Sequence, residues 1–554
     1  MQDTPRNEFL AEVLPWILLL LALGAWLGRV DLLTPDEARH AEIAREMFLD
    51  GNWIAPRIYG EPYYDKPALF YWLTGASLHA FGLKAWAARL PSVLGALFAT
   101  VMTAWWVRTA WGPRVARLAT GMLATTLFFV AVGRYVVIDM LLTAALTGAM
   151  AWLGVVWNDP PGRRRAVWPI YACTAVGVLA KGPVALVLVA GVAVVAAAFE
   201  RKPSLLLRLH PARGLLLLTA LAAPWYVAAW IHDPAYIRTF LWEHNFARYA
   251  VPGALAHQEP WYFYLLALPV VMLPWSMVVP GGLLAGWQKP SPGFRHALAW
   301  ATVVLGFFSF SQTKLPTYVL SAFPPLLAVG AVYVDEVLAH RVELPRITEF
   351  ALLGWTMLAG AVAVGGAAWM VIEAPASWPR VVLAAPAAVI AAWAYRRVPD
   401  ARALLGATAA ASLALVALVY GGAADAVNAR ESQRGAAAIV EQLPPHASLA
   451  SYRVAPHALA FYARRSVRRA EDVESAVPEL FAGADAALLT RSKFLGQLGL
   501  DPLPPWMKLA WSAGDGQVLV LSGSAATGGS GKAATPHRHG RPRRKGMGHG
   551  PALH

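Results

Sequence analysis

The sequence predicts a mainly α-helical, polytopic membrane protein with a small α/β domain near its C-terminal end. Hydrophobic residues make up 57% of the 554 residues, and the 45 glycines bring the apolar share to about two-thirds, whereas soluble proteins have roughly 45–50% on that count. Charged residues are only 14%, against roughly 25% in soluble proteins. This composition disfavours a soluble enzyme, a nucleic-acid-binding protein and a disordered chain.

The net charge and the cysteine content further limit the class of protein and its partners. The net charge of +14 resembles that of a nucleic-acid-binding protein. Six of the basic residues, however, lie after residue 530, and many others lie in short loops between apolar runs. The single cysteine, Cys173, excludes an intrachain disulfide and a cysteine zinc site. We therefore expect membrane lipids, and no nucleic acid, as partners.

Thirteen apolar runs are candidates to cross a hydrocarbon core about 30 Å thick. The first run is followed by Arg29-Val30-Asp31 and not by an A-x-A-like cleavage site, so it predicts a retained span and not a signal peptide. The predicted spans are 13–29, 90–107, 116–133, 136–157, 168–180, 183–199, 213–231, 261–283, 297–311, 315–334, 350–372, 379–395 and 403–421.

The basic loops predict the orientation. The loops near 163–165, 201–213, 289–295 and 396–402 are rich in arginine and lysine, which makes them cytoplasmic by the positive-inside rule. The segment 68–82 is apolar and aromatic but short. The basic loops and the N-terminus lie on the same side of the membrane only if this segment does not cross it. We interpret it as a juxtamembrane amphipathic helix. The N-terminus is then cytoplasmic in the inner membrane of a bacterium, and the C-terminus is periplasmic after thirteen crossings.

The chain divides into three parts by composition. Residues 1–422 form the membrane domain, with large external loops at 31–89 and 232–260. Residues 423–522 mix charged and apolar residues, and predict a periplasmic α/β domain with a helix at 436–443 and strands at 448–452, 486–490 and 517–521. Residues 523–554 are rich in Gly, Ser, His and Arg, and predict a disordered basic tail.

Acidic, basic and aromatic residues collect at the predicted external face. Ionisable groups at membrane depth are functional candidates by default. Two large loops and three short turns supply them, in the runs Thr34-Pro35-Asp36-Glu37-Ala38-Arg39-His40, Tyr63-Tyr64-Asp65-Lys66-Pro67, Glu243-His244-Asn245-Phe246-Ala247-Arg248-Tyr249, Arg134/Tyr135/Asp139, Lys181-Gly182-Pro183 and Thr313-Lys314-Leu315-Pro316.

The first of these runs also has a purely structural interpretation. Thr34 as N-cap, Pro35 as the first helical residue and Glu37 two residues later form the pattern of a capping box. Arg39 then lies near Asp36 at i+3, as an ordinary local ion pair. Capping and catalysis are compatible, because Glu37 alone suffices for the box and leaves Asp36 free for chemistry.

The other motifs have structural alternatives too. Lys181 suits the turn of a hairpin, and His244 with Arg248 suits one solvated face of a helix. The aromatic residues near Lys66 suit an interfacial belt. No single motif decides between structure and function, and their convergence on one face of the membrane is what indicates a site.

This arrangement suits the departure of a lipid phosphate. Cations and hydroxyl donors stabilise the charge that develops on such a leaving group. Asp36 can act as a base for a hydroxyl acceptor, or can orient a phosphate acceptor and balance its charge. Asp65 with His244 can hold a divalent cation if substrate oxygen or water completes the site. The candidate phosphate contacts are Lys66, Arg39, Lys181, Arg248 and Tyr63.

These motifs, in this order, resemble those of the lipid A aminoarabinose transferase family. The resemblance rests on the first-loop runs at 34–39 and 63–67, on Lys181-Gly182-Pro183, on Glu243-His244-Asn245 and on 313–318, and it extends to about residue 522. The related protein O-mannosyltransferases share the Asp-Glu start and the multi-spanning architecture. The chain departs from the family at Asp65, where Glu is common before the lysine, and in its basic tail.

The resemblance implies an inverting, integral-membrane glycosyltransferase of the GT-C class. Its donor is a sugar, in this family 4-amino-4-deoxy-L-arabinose, on undecaprenyl phosphate, and its acceptor is lipid A or another envelope glycan. It implies no organic cofactor, and one divalent metal ion, zinc or similar, at Asp65 and His244. Asp36, with Glu37 beside it, matches the essential acid, and Asp139 matches a second one. The implied donor-phosphate contacts are Arg39, Tyr63, Lys66, Lys181, Arg248 and the cavity tyrosine Tyr318.

Two alternative functions stay open. A transferase that uses protein hydroxyls as acceptors would need Asp36 as a true general base. A transporter of lipid-linked sugars would need a site near the midplane, with broken helices and internal repeats. The clustering of ionisable groups at one face disfavours the transporter.

Overall fold

The structure, a computed structural model, describes residues 5–158, 166–247, 259–397, 400–481 and 485–523. Within these ranges eight helices are long and apolar enough to cross a membrane, and two bent helix pairs bring the number to ten. The chain is a multi-pass membrane protein, and the count of thirteen crossings stays a prediction. All thirteen predicted spans are helical, at Pro5–Gly24, Ala85–Trp111, Pro113–Thr125 with Leu127–Gly133, Ile138–Trp157, Trp168–Lys181, Val184–Phe199, Pro211–His232, Phe263–Val271 with Val279–Gln288, Pro292–Phe310, Phe323–Leu338, Arg346–Glu373, Ala385–Tyr395 and Ala401–Ala417.

Two of the predicted spans are bent rather than straight. The helix Pro113–Thr125 and the helix Leu127–Gly133 meet at an angle of 69°, and the halves of the second pair meet at 117°. Thr126 is extended at the first break. Pro274, which has no N–H to continue a helical ladder, lies in the second break. The helix Leu127–Gly133 that follows the first bend lines a cavity together with residues of the first loop.

The first external loop begins with the helix Asp36–Leu49, most of which is buried although its sequence is polar. Its alanines, glutamates and arginines are strong helix formers, and Gly51, with φ of +65°, follows its end. Its buried charged side chains have hydrogen-bond partners. Arg45 donates two hydrogen bonds of 2.7 Å to Glu42, and Glu46 accepts from the backbone N–H of Tyr59 at 2.7 Å.

The predicted amphipathic helix is present at Leu69–Phe81. Thirteen residues span only about 20 Å, too little to cross the hydrocarbon core. Phe70 and Tyr71 are fully buried against the first-loop helix, whereas Leu73 and Phe81 are exposed. This two-sided burial agrees with a helix that lies at the membrane interface, and its depth in the membrane stays a prediction.

Short elements complete the external loops. A two-stranded antiparallel ribbon, β1 (Arg57–Ile58) and β2 (Glu61–Pro62), follows the first-loop helix. The second loop contains the helix Pro234–Arg238, which continues into a π-helical stretch at Thr239–Ala247. Tyr64 joins the two loops, because its hydroxyl donates to Oδ2 of Asp233 at 2.7 Å.

The C-terminal part contains a five-stranded mixed sheet. Its strands are β3 (Ser448–Tyr452), β4 (Arg468–Ala470), β5 (Ala486–Arg491), β6 (Met507–Ser512) and β7 (Gln517–Ser522), in the order β4-β3-β5-β7-β6. The three predicted strands are confirmed, and the predicted helix is present at Arg434–Val440. The sequence prediction missed β4, β6 and the helix His457–Ala463. The other helices of this part are Ala424–Glu431, Val473–Ala476 and Pro478–Phe481.

This sheet domain packs on the first external loop. Oδ2 of Asp31 accepts a hydrogen bond of 2.7 Å from Ser432, and the hydroxyl of Tyr462 accepts one of 2.9 Å from the backbone of Leu32. The hydroxyl of Tyr59 contacts Nδ1 of His457, with the two rings stacked. The domain and the first loop therefore lie at the same face of the helical bundle.

Candidate active site

A cavity of about 440 Å³ lies between the external loops and the ends of the helices below them. Three carboxylates and three cations line it, and they come from parts of the chain up to 145 residues apart. The polar lining residues that the sequence predicted are Asp36, Arg39, Asp65, Lys66, Asp139, Lys181 and Tyr318.

Asp36 is the first residue of the helix Asp36–Leu49, and Arg39 lies one turn further on. Arg39 donates to Oδ1 of Asp36 at 2.6 Å, so the expected i+3 ion pair is confirmed. An acid at a helix N-terminus is stabilised by the exposed N–H groups there. The Asp36 side chain is 60% exposed, so water and a ligand can both reach it.

The capping box that the sequence predicted does not form, because Thr34 makes no capping hydrogen bond and Pro35 precedes the first helical residue. Glu37 instead accepts from the backbone N–H of Leu33 at 3.0 Å. It is fully buried and receives two hydrogen bonds of 2.8 Å from Arg89. Glu37 is therefore not among the residues that line the cavity.

Arg89 holds together the segment that leads into the first-loop helix. Its guanidinium group also donates to the backbone carbonyl groups of Leu27 and Val30 at 2.7 Å and of Asp31 at 3.1 Å. The arginine and Glu37 are both almost inaccessible, and removing one partner of such a pair leaves an uncompensated buried charge. The Glu37–Arg89 pair thus fixes the backbone that positions Asp36.

Asp65 is the centre of a second charged cluster. Lys66 donates to its Oδ1 at 2.6 Å, and Tyr63 donates to its Oδ2 at 3.1 Å. Nδ1 of His244 lies 3.0 Å from the same Oδ1. Tyr236, fully buried, donates to the backbone carbonyl group of Lys66 and so fixes this part of the loop.

Asp65 and His244 lie close together, as the metal prediction requires, but their surroundings do not fit a metal ion. The ammonium group of Lys66 is 2.6 Å from the Oδ1 atom that a metal would bind, and its positive charge opposes a second cation there. Among the described residues there is no group of three or more His, Cys, Asp or Glu side chains placed to hold a metal. The metal stays a sequence prediction.

Asp139 and Lys181 form the third pair, and each lies at the end of a helix. Asp139 is in the first turn of Ile138–Trp157, and Lys181 is the last residue of Trp168–Lys181. Gly182, with φ of +89°, ends that helix. The lysine Nζ contacts Oδ1 of Asp139 and lies 4.0 Å from the centre of the Tyr318 ring. Lys181 thus lies at the turn into the next helix, Val184–Phe199, as the hairpin interpretation expects, and it is also ion-paired.

A second cavity of about 310 Å³ adjoins the first. The two share Asp65, Lys66, Lys181 and Tyr318 as lining residues. The rest of the second cavity is mostly apolar. Its walls are Pro183, Val184, Val187, Phe240, Leu241, Phe307 and Phe308, with His244 and Ser311 as the other polar contributors. The two shared lysines therefore stand between a charged compartment and an apolar one.

Several lining residues were given no role by sequence reasoning, Thr317 and His40 among them. Thr317 donates to Oδ2 of Asp139 at 2.9 Å, and it lies in the run 313–318 that the family resemblance singled out. His40, one turn after Asp36, is also in a quoted run. Burial, helped by the charges of Arg39 and Lys66, lowers the pKa of His40 to about 3, so its ring is neutral at physiological pH. Arg248 lies outside the described residues.

Comparisons with known proteins agree on the class of this fold. The structure matches that of ArnT from Cupriavidus metallidurans bound to undecaprenyl phosphate, with a TM-score of 0.74, 23% identity, and coverage of 92% of this chain and 97% of that one. An archaeal oligosaccharyltransferase, AglB from Archaeoglobus fulgidus, matches with a TM-score of 0.51, at 12% identity over 88% of this chain and 69% of that one. The chain has the fold of the GT-C membrane glycosyltransferases.

The sequence matches are more specific. Residues 27–233 match the dolichyl-phosphate-mannose-protein mannosyltransferase family. The undecaprenyl phosphate-alpha-4-amino-4-deoxy-L-arabinose arabinosyl transferase of Aeromonas salmonicida is 34% identical over 329 residues, which cover 57% of this chain and 60% of that protein. The same enzyme of Pectobacterium carotovorum is 34% identical over 63% of each chain. The chain thus spans about three-fifths of these curated relatives, and its resemblance to the lipid A aminoarabinose transferase family is confirmed.

Proposed function

We propose that this chain is a membrane glycosyltransferase that takes its sugar from a polyprenyl-phosphate donor. The observation that carries the proposal is the position of Lys66 and Lys181 where a charged cavity meets an apolar one. A polyprenyl-phosphate sugar has the matching order of parts, with an apolar chain, an anionic phosphate and a polar sugar. The relatives named as undecaprenyl phosphate-dependent arabinosyl transferases support the same donor class.

The apolar cavity accommodates the first isoprene units of the donor, and the two lysines bind its phosphate. Charge-assisted hydrogen bonds from lysine and arginine stabilise a phosphate most strongly where water is scarce. The Lys181 and Lys66 side chains are only 15% and 13% exposed. The sugar then extends into the charged cavity towards Asp36 and Arg39. Tyr63 and Arg248 are proposed as further contacts to the phosphate, and Tyr318 as a wall of its site.

The reaction is a displacement at the anomeric carbon. An acceptor oxygen attacks this carbon from the side opposite the phosphate, the new carbon–oxygen bond forms, and the bond to the phosphate breaks with inversion. The leaving phosphate takes the electron pair, and the lysines stabilise its added charge. Asp36, the most exposed acid of the cavity, orients a phosphate acceptor, or removes the proton of a hydroxyl acceptor. Asp139 holds Lys181 in place as the second functional acid.

We propose 4-amino-4-deoxy-L-arabinose as the sugar and lipid A phosphate as the acceptor, as the names and the family of the relatives suggest. Transfer to protein hydroxyls is the second candidate, because residues 27–233 match a protein mannosyltransferase family. Transfer to a phosphate and transfer to a hydroxyl differ in whether a proton must be removed from the acceptor. A hydroxyl acceptor needs Asp36 as a base, so its transfer rate falls at acidic pH, whereas an acceptor phosphate that is already ionised requires no base.

The proposed location is the inner membrane of a bacterium, with a cytoplasmic N-terminus and a periplasmic C-terminal domain. The contacts of Asp31 and Leu32 with Ser432 and Tyr462 support an even number of crossings between residues 31 and 423. Twelve of the thirteen predicted spans lie between these residues, which is an even number. If the pair bent by 117° were re-entrant, the number would be odd, so these contacts favour a broken span. Reporter fusions at residues 60 and 523 should report the same, periplasmic, side.

The test is mass spectrometry of lipid A from cells that express the chain, its Asp36→Asn variant and its Asp50→Asn variant. Asp50 is exposed at the far end of the same helix, so it is a matched control for the chemical change. We expect a mass increment of one pentosamine with the wild type and with Asp50→Asn, and its loss with Asp36→Asn. Unmodified lipid A in all three strains, with the protein folded in the membrane, overturns this acceptor and directs the search to glycoproteins.

A further inference from the structure

His40 is a neutral side chain in a cavity whose other first-loop polar residues are charged. It lies in the wall of the cavity, one turn after Asp36 and next to Arg39, and the residue is 7% exposed. Phe70 contacts the ring edge-on, with ring centres 6.1 Å apart. The ring is therefore held by packing and keeps a small surface open to the cavity.

Tyr71 fixes the orientation and the tautomer of the ring. Its hydroxyl lies 3.2 Å from Nδ1 of His40, and Tyr71 itself is fully buried. Among the described residues, the hydrogen-bond partner of this hydroxyl is Nδ1 of His40. A buried phenol donates its proton to such an acceptor. Nδ1 then carries no proton, and Nε2–H becomes a hydrogen-bond donor to whatever occupies the cavity.

Two other neutral polar groups nearby have partners. Thr317 donates to Asp139, and the hydroxyl of Tyr135 accepts from the backbone N–H of Glu37 at 3.3 Å. No hydrogen bond to Nε2 of His40 is found among the described residues. This nitrogen is a neutral donor in the cavity wall, beside the hydroxyl groups of Tyr135 and Tyr318, and Tyr71 holds it in a fixed orientation.

We propose that His40, held by Tyr71, recognises a hydroxyl oxygen of the transferred sugar and so helps to select the donor. The inference rests on the proposed function. The lysine and arginine side chains of the cavity are cations that suit the phosphate, whereas a neutral donor at fixed geometry suits a sugar hydroxyl. A site that has such a donor discriminates against sugars that lack the matching group, because its buried polar atom is then left unpaired. His40 is thus a specificity residue, and Tyr71 is its positioning residue.

The experiment compares two ligands, polyprenyl phosphate and the same polyprenyl phosphate carrying the sugar, with the full-length protein in lipid nanodiscs. The variants are His40→Phe, which keeps a ring in the packing, and Tyr71→Phe, which removes only the positioning hydroxyl. His79→Phe is the matched control, because His79 is exposed on the helix Leu69–Phe81. Thermal unfolding of each variant shows whether it is folded.

We expect His40→Phe to weaken binding of the sugar-carrying lipid by roughly three- to tenfold, the effect of one lost neutral hydrogen bond. Binding of polyprenyl phosphate alone should not change. Tyr71→Phe should give a smaller loss in the same direction, and His79→Phe none. Equal weakening of both ligands, or no weakening in a folded His40→Phe variant, overturns the inference and leaves the glycosyltransferase proposal standing. A wild-type protein that binds neither lipid overturns that proposal and the inference together.

Discussion

Replacing Asp139 by asparagine is expected to tighten binding of polyprenyl phosphate while it slows transfer. In the structure Lys181 is ion-paired with Asp139 and lies against the ring of Tyr318. An incoming phosphate must therefore compete with a carboxylate for this lysine. Asparagine has nearly the same shape and removes the competing charge, so the phosphate gains a lysine that is no longer neutralised.

The size of the effect follows from the distance and the burial. Two unit charges about 4 Å apart, at an effective dielectric constant of about 20, attract by about 4 kcal/mol. Desolvation of the phosphate cancels a large part of this, and we expect about 1.4 kcal/mol to remain, a tenfold decrease in Kd. Transfer should fall by about a hundredfold or more, because Lys181 loses the group that orients it during the reaction.

The assay measures binding of polyprenyl phosphate to the purified protein in nanodiscs, together with transfer of a labelled sugar. Asp335→Asn is the matched control, because Asp335 is similarly shielded and lies 3.1 Å from Arg114 and from Arg341, away from the cavity. It should change neither quantity. Weaker or unchanged phosphate binding in a folded Asp139→Asn variant would refute the competition between the carboxylate and the phosphate.

Three further outcomes follow from the structure. Glu37→Gln should lower the unfolding free energy by about 3 kcal/mol, because it leaves Arg89 buried without a counter-charge. KM for the donor should stay unchanged at a temperature where the variant is folded. A large change in KM in the folded variant would place Glu37 in the ligand site. Burial lowers the pKa of His457 from its ordinary value of 6.5 to about 3, so the unfolding free energy should fall by about 1.4 kcal/mol per pH unit as the pH drops below 6.5. His457→Phe should make the fall of the unfolding temperature at acidic pH less steep. An unchanged slope in this variant would contradict a contribution from His457. Dialysis against a chelator should leave transfer unchanged, because the ammonium group of Lys66 already lies 2.6 Å from the Oδ1 atom of Asp65 that a metal would bind. Loss of activity that zinc restores would reinstate the metal.

The membrane helices could be predicted because few structures satisfy a long apolar run in lipid. The bends could not, since Thr126 and the residues near Pro274 look like ordinary members of an apolar run in the sequence. In the C-terminal domain, the buried strands β3, β5 and β7 were visible as apolar runs. Edge strands such as β4, with the sequence Arg-Arg-Ala, carry no such signal.

The composition of the candidate site could be predicted, but its pairing could not. Acidic and basic motifs at one face indicated which residues meet, and Asp36 with Arg39 is the one pair fixed by local helical spacing. The other pairs in the site are contacts between residues far apart in the sequence. Arg89, 52 residues away, holds Glu37 outside the expected capping box. Lys181 lies at its expected turn, and its ion pair with Asp139, 42 residues away, had no signal in the sequence.

The most direct measurement is sugar transfer by the purified protein in vesicles that contain a polyprenyl-phosphate-linked pentosamine and lipid A. The glycosyltransferase proposal predicts equal amounts of free polyprenyl phosphate and glycosylated lipid A, with loss of both products in Lys66→Ala and Lys181→Ala and little change in Asp50→Asn. Movement of the intact sugar lipid across the bilayer without cleavage of its phosphate bond would contradict the proposal and indicate a transporter.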